Sequence, residues 1–514
     1  AGHGHHEASA ILAEEAFDLA GDPKAFPEQL EQGLEVWQPR RLFFNGSTWW
    51  KKDLAEIAKS DPDWFSVDVG GYDPLLGLSY TEIAGRSRSM HKSQGFGAAE
   101  TRGEQLEYLK LIKGDRPKTK DIFEGIDMTW GRLDKALSNG REVEAVRSGF
   151  IATHPDRSIE ALVSLRTAVK RAATSPWRDL TLKRIDNLLL HCTGLDISYT
   201  SPTSFIAEDD SAIILSSLVS RLAVSPEIHE VAAFEANFDG IGFLQENKTV
   251  THELPIRAPL TRDEPYWLVN PHGDMHSVQA SHIGFAANEP FLHGNTLMSI
   301  GGHEMESSTS IIHKWVDRVA GERIRPVYIT PVASLIPKSD VLIARGGPQM
   351  ISVDVEALTD SLRGELTVSA PPGWLIAANS SGSVNMGVTI NNRNERNSFT
   401  VSVEPTAQAQ PGSLKFAFTS PKGSADRTLH EIDYPHIMPQ VYYTPAEVKL
   451  VPLDVKTTAK RVGYVKGAGD DVPQALEQLG VIVEFIEPSA AKLEELKKYD
   501  AIVTGIRAYN ATKG

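Results

Sequence analysis

The spacing of apolar and polar positions divides the chain into three regimes. Over residues 7–20, Ile11, Leu12, Ala16 and Leu19 fall on one side of a helical wheel and Glu7, Glu14, Glu15 and Asp18 on the other, which predicts a helix. Gly21, Asp22 and Pro23 end it. RRLFFNG (40–46) and the alternating WFSVDVG (64–70) predict short strands, and SYTEIAGRSRSMHKSQGFG (79–97) predicts a helix running into a glycine-rich turn. Two amphipathic helices follow, SIEALVSLRTAVKRA (158–172) and LTLKRIDNLLLHCTGLD (180–196), the second carrying Leu182, Ile185, Leu188 and Leu189. The first 195 or so residues therefore read as mixed α/β with a helical appendage.

SYTSPTSF (198–205) reads as a Ser/Thr/Pro linker. From about 205 to 440 the helical period vanishes and alternating runs dominate, among them GELTVSAPPGWLIAAN, SVNMGVTINN, SFTVSVEP and GSLKFAFTS. Short strands separated by Gly, Pro, Asn and Ser at regular spacing predict β-sandwiches, with room for one over 205–325 and a second over 326–445. Beyond 460 the pattern becomes βαβαβ: RVGYVKG, DDVPQALEQLG, VIVEFIE, AAKLEELKKYD and AIVTGI, the opening of a doubly wound domain over 460–514.

The 514 residues exceed what one hydrophobic core organises, in keeping with several domains. A net charge of −15 argues against nucleic acid or an anionic membrane as partner, because phosphate surfaces select clustered Lys and Arg. The single cysteine, Cys192, excludes an internal disulfide framework and a cysteine-based zinc ribbon. No apolar run reaches the roughly 18 residues that a membrane-spanning helix needs.

The chemistry that stands out is histidine. His3 and His6 lie three apart, so one helical turn places both imidazoles on one face, where they can serve one metal site. A solvated helix N-terminus has the same composition, and spacing alone leaves both readings open. A second cluster, His91, Ser93 and Gln94 followed by Gly95 and Gly97, suits a loop that lines a pocket, or equally a helix C-terminus closed by a glycine cap. VKGAGDD (465–471) lacks dinucleotide and phosphate-loop spacing and reads as a plain strand-to-helix turn.

Together GHGHHEASAILAEEAFDLAGDP, WQPRRLFF, SVDVGGYDPLLGLSYTEIAGRSRSMHKSQGFG and LIKGDRPKTKDIFEGIDMTW resemble a bacterial multidomain branch of the PIG-L (LmbE-like) deacetylase family, over residues 1–197 with the helical extension included. The sandwich region, with KWVDRVAGERIRPVYITP and GELTVSAPPGW, resembles the Ig-like domains of that branch, and the last segment resembles the start of its glutamine-amidotransferase-like domain. The resemblance implies a partial Rossmann-like deacetylase domain, two Ig-like sandwiches and the beginning of a flavodoxin-like α/β domain.

It also implies a zinc-dependent hydrolase that removes an acetyl or similar acyl group from an amino sugar, a glycan-derived substrate or a related amide. HGHH fits the family's His-x-x-His motif: His6 takes the zinc-ligand place and His3 the place that stabilises the tetrahedral intermediate. His5 sits where many relatives carry an Asp that orients the first histidine. His91, Ser93 and Gln94 are then expected to line the pocket. The family's other motif, HPDDE, is absent, and HPDR at His154 departs from it and falls after the second motif. The chain is thus expected to be a fragment cut at both ends and inactive alone, since catalytic zinc takes three protein ligands. A second reading makes it a carbohydrate-binding or cell-surface module with a degenerate deacetylase domain. Sandwiches of this kind commonly accompany exported bacterial glycan enzymes, which by analogy points to an extracytoplasmic location.

Overall fold

A computed structural model describes residues 3–511 apart from 225, 289–291, 377–380 and 454. The chain is mostly β, 39% strand against 22% helix. It divides into two units, Ala1–Asn139 and Gly140–Gly514, each described by itself. No helix among the described residues is long and apolar enough to cross a membrane.

The first unit opens with the helix Gly4–Leu19, which buries Phe17 and leaves Ile11, Leu12 and Leu19 exposed. Lys113 ties this helix to a strand, donating through Nζ to Glu14 O at 2.8 Å and to Asp18 Oδ2 at 2.7 Å. The strands Arg41–Gly46, Leu106–Gly114 and Trp64–Asp68 form one sheet with Leu106–Gly114 in the centre, and both pairings are antiparallel. Leu54, Trp64 and Tyr108 make a small core on it.

This overturns the expected fold class. A Rossmann-like domain is built on parallel strands joined by crossover helices. Here Arg41 faces Gly114 and Phe65 faces Leu109 in antiparallel register. Among the described residues of this unit no parallel pairing occurs, and the chain as a whole is dominated by strands rather than by alternating helix and strand.

Within the second unit, the helices Ile159–Lys170 and Pro176–Cys192 pack through Leu162, Leu165, Val169, Ile185 and Leu189, all buried. The stretch expected to be a linker is largely strand: Leu195–Ser201 pairs antiparallel with Ser211–Ser220 and parallel with His303–Asp317. Tyr and Thr favour pleated backbone once a partner strand covers them, and that partner is invisible locally. Among the described residues this sheet has eight strands, running from Ala236–Phe243 at one edge to Thr249–Arg257 at the other.

A four-stranded and a six-stranded sheet then face each other across one apolar core. Leu335, Val353, Val355, Val403 and Trp374 come from the first, and Leu366, Val368, Phe416, Phe418 and Val448 from the second. Trp374 buries its ring and donates through Nε1 to Gln410 O at 2.9 Å, which satisfies its one polar group. The hairpin Arg427–Ile432 and Gln440–Pro445 leads on from this core. The last sheet is parallel, with Arg461–Val465 between Ile482–Ile486 and Ala501–Thr504.

Candidate functional site

His3 is the N-cap of the first helix, with extended backbone, and its carbonyl accepts from His6 N at 3.1 Å and Glu7 N at 3.3 Å. This turn carries the His3 and His6 rings to one face, centroids 5.8 Å apart and tilted by 36°. Both side chains are exposed, as is His5 between them. The His5 carbonyl accepts from Ser9 Oγ at 2.8 Å.

The donor chemistry of this pair suits zinc; the number of ligands does not. Among the described residues no group of three or more His, Cys, Asp or Glu side chains could hold a metal ion. Two imidazoles from one helical turn fall short of the three protein ligands of a catalytic zinc site. These residues do not make a complete zinc site.

The second cluster is set by a well-capped helix. Ser79 N donates to Glu82 Oε2 at 2.8 Å while Glu82 N donates to Ser79 Oγ at 3.4 Å, a reciprocal capping box that starts Tyr80–Ser89. The Ser79 N–H foremost, with Arg102 adding its charge, holds the Glu82 carboxyl below the usual carboxylate range. The helix runs to Ser89, and a single 3-10 turn Lys92–Gln94 follows, closed by Gly95 at φ 66°. His91 and Gln94 are exposed, and the His91 ring stands edge-on to Phe96 at 6.4 Å. The Ser93 side chain lies outside the described residues. Among the described residues, no hydrogen bond or ring contact joins His91 or Gln94 to His3 or His6.

A further site is assembled from residues far apart in the sequence. In the second unit a cavity of about 340 Å³ is lined by Asp263, Glu264, Trp267, Asn288, Ile312, Val327, Tyr328, Met438, Gln440 and Val441, among others. Asp263 is held by a reciprocal pair: its N–H donates to Ile329 O at 2.9 Å and its Oδ2 accepts from Ile329 N at 2.8 Å. Burial pushes this carboxyl up to about 6, against the pull of the Ile329 N–H. Tyr328 donates to Pro439 O at 2.5 Å, and burial pushes its hydroxyl up to about 12. Burial likewise raises Tyr443, whose hydroxyl has no partner among the described residues. The one local signal was acid set among Pro and aromatics in LTRDEPYWLV.

No family model matches the chain, and no curated protein does. Among solved structures it is similar to Salmonella alpha-2-macroglobulin, both as a mutant and after reaction with methylamine. These matches have TM-scores of 0.18, identities of 10% and 11%, and cover 51% and 50% of this chain and 16% of those chains. The native conformation of E. coli alpha-2-macroglobulin gives a TM-score of 0.17 at 9% identity, over 50% of this chain and 17% of that one. The chain thus spans about 16% of the length of the structures it is similar to.

Proposed function

We propose that this chain is part of a zinc-dependent hydrolase that removes an N-acyl group from an amino sugar or a related amide. The observation that supports the reading is the exposed pair at the first helical turn, His3 and His6, with rings 5.8 Å apart on one face. His6 is the zinc ligand in this reading, His3 stands toward the reacting carbonyl and His5 beside it.

The test uses the gene product that contains these residues, purified with zinc and assayed for acetate release from N-acetylated amino sugars. His6→Ala is expected to abolish zinc-dependent hydrolysis. Stoichiometric zinc and full activity in that variant overturn the assignment. The 514 residues alone are expected to be inactive, because the described residues bring together fewer than three ligands.

A second reading, a carbohydrate-binding or cell-surface module, draws on the strand-rich make-up of the chain. Saturable binding to a polysaccharide, without any deacylation by the gene product, favours that reading over the first.

A further inference from the structure

The cavity beside Asp263 has a size typical of small-molecule sites, which run to about 300–1,000 Å³. Its walls are mainly apolar, with Trp267, Ile312, Val327 and Met438 among them. Such a space takes an apolar body and strips it of water. The charge around it then decides what else the ligand must carry.

Among the described residues three guanidiniums of this region are each paired with a carboxylate other than Asp263, although Arg262 Nη1 and Arg325 Nε and Nη2 are buried without a hydrogen-bond partner. Arg262 pairs with Glu208 at 3.5 Å, Arg325 with Glu431 at 2.9 Å, and Arg427 with Glu264 at 3.0 Å. Asp263 is the remaining acid, with no cationic partner among the described residues and a single hydrogen bond to its carboxylate, from Ile329 N. Tyr328 does not answer its charge, because the phenol donates to Pro439 O. Nor does Tyr443, whose hydroxyl has no partner among the described residues. Among the described residues the cavity thus carries one negative charge in excess, on a partly buried carboxylate, and an unpaired charge withdrawn from water is costly.

A bare divalent cation does not match this arrangement, since calcium takes six to eight oxygen ligands and apolar walls supply few. An anion meets the wrong charge. An ammonium group matches: it offers N–H donors and positive charge to Asp263, while Trp267 and Tyr328 provide aromatic surface that attracts cations.

We propose that this cavity binds a small organic cation, an ammonium group on an apolar body, with Asp263 as its counter-ion. The inference goes beyond the zinc-hydrolase reading and does not depend on His3 or His6.

Calorimetric titration of the full 514-residue chain with 2-phenylethylamine tests it, with phenylacetate and 2-phenylethanol as the anionic and neutral counterparts of the same body. The amine is expected to bind saturably, at least about tenfold tighter than the alcohol, with the acid showing no binding. Asp263→Asn keeps an oxygen for the Ile329 N–H and is expected to weaken the amine about ten- to a hundredfold while leaving the alcohol within about twofold. Val327→Trp fills the cavity and is expected to remove both. Circular dichroism and the melting temperature establish that each variant is folded, and Asp263→Asn decides the question alone if Val327→Trp is not. No saturable binding of the amine, equal binding of amine and alcohol, or an Asp263→Asn variant that keeps wild-type amine affinity overturns the proposal.

Discussion

Arg166 grips Asp186 with two parallel hydrogen bonds, Nε to Oδ1 at 2.6 Å and Nη2 to Oδ2 at 3.1 Å, and so clamps the helix Ile159–Lys170 to Pro176–Cys192. The side chains are only 16% and 22% exposed, which places the pair between a surface ion pair and a buried one. Arg166→Ala is expected to cost about 2 kcal/mol, above the 0–1 of exposed pairs and below the 3–5 of a broken buried pair. Arg166→Lys should recover little, because an ammonium cannot match the fork. Urea unfolding followed by helical circular dichroism measures both, and a loss below about 0.5 kcal/mol for Arg166→Ala contradicts the clamp.

Tyr199 is fully buried and spends its hydroxyl twice, donating to Asn295 O at 2.6 Å and sharing a hydrogen bond with Thr296 Oγ1 at 2.8 Å. Tyr199→Phe leaves those groups short of a partner and is expected to cost about 1–3 kcal/mol. The same ring lies against Gly294, where a methyl group would fall inside the aromatic atoms. Gly294→Ala is expected to cost about 1–3 kcal/mol by overpacking. Thermal unfolding of the two single variants and the pair reads the coupling, and strict additivity would show that the two residues act separately.

Asp263 makes stability depend on pH in the less common direction for an acid. Its folded-state value of about 6 lies above the reference 3.8, so between these limits the folded chain holds the proton more tightly than the unfolded one. Stability therefore falls as pH rises through this window; the cost is absent below it and complete above it, at about 3 kcal/mol. Asp263→Asn removes the charge and is expected to raise the melting temperature at pH 7 but not at pH 3.5. An equal shift at both pH values counts against the half-buried, unpaired carboxylate.

His6 is exposed and holds nothing in place through its side chain among the described residues beyond the ring contact with His3. His6→Ala is expected to leave unfolding of this chain within about 0.5 kcal/mol of the parent. Loss of zinc-dependent hydrolysis in the gene product then reads as chemistry, whereas a large loss of stability points to a structural role.

The strands of the second unit were legible because their pleat is written in the residues. In Ser383–Ile390 burial deepens at every second position toward Val388 and Ile390, and in Gly412–Ser420 Leu414, Phe416 and Phe418 alternate with more exposed neighbours. The first helix was equally readable, yet the apolar face that marked it, Ile11, Leu12 and Leu19, is exposed rather than packed. SYTSPTSF has the composition of a linker, yet its first half is strand because Ser211–Ser220 and His303–Asp317 lie on either side of Leu195–Ser201. Of the candidate site, the His3 and His6 pairing followed from helical spacing alone. The cavity did not, since Asp263, Val327 and Val441 are far apart in the chain and no local pattern links them.

By itself the order of residues determined the first helix, the alternating strands of the second unit and which histidines share a turn, because these follow from periods of a few residues. Only the tertiary structure decided that the first unit pairs its strands antiparallel rather than as a Rossmann sheet, and that among the described residues three guanidiniums take other acids and leave Asp263 without a cationic partner. Pairing and burial depend on neighbours in space, and a carboxylate becomes unusual only when distant segments close over it and exclude water.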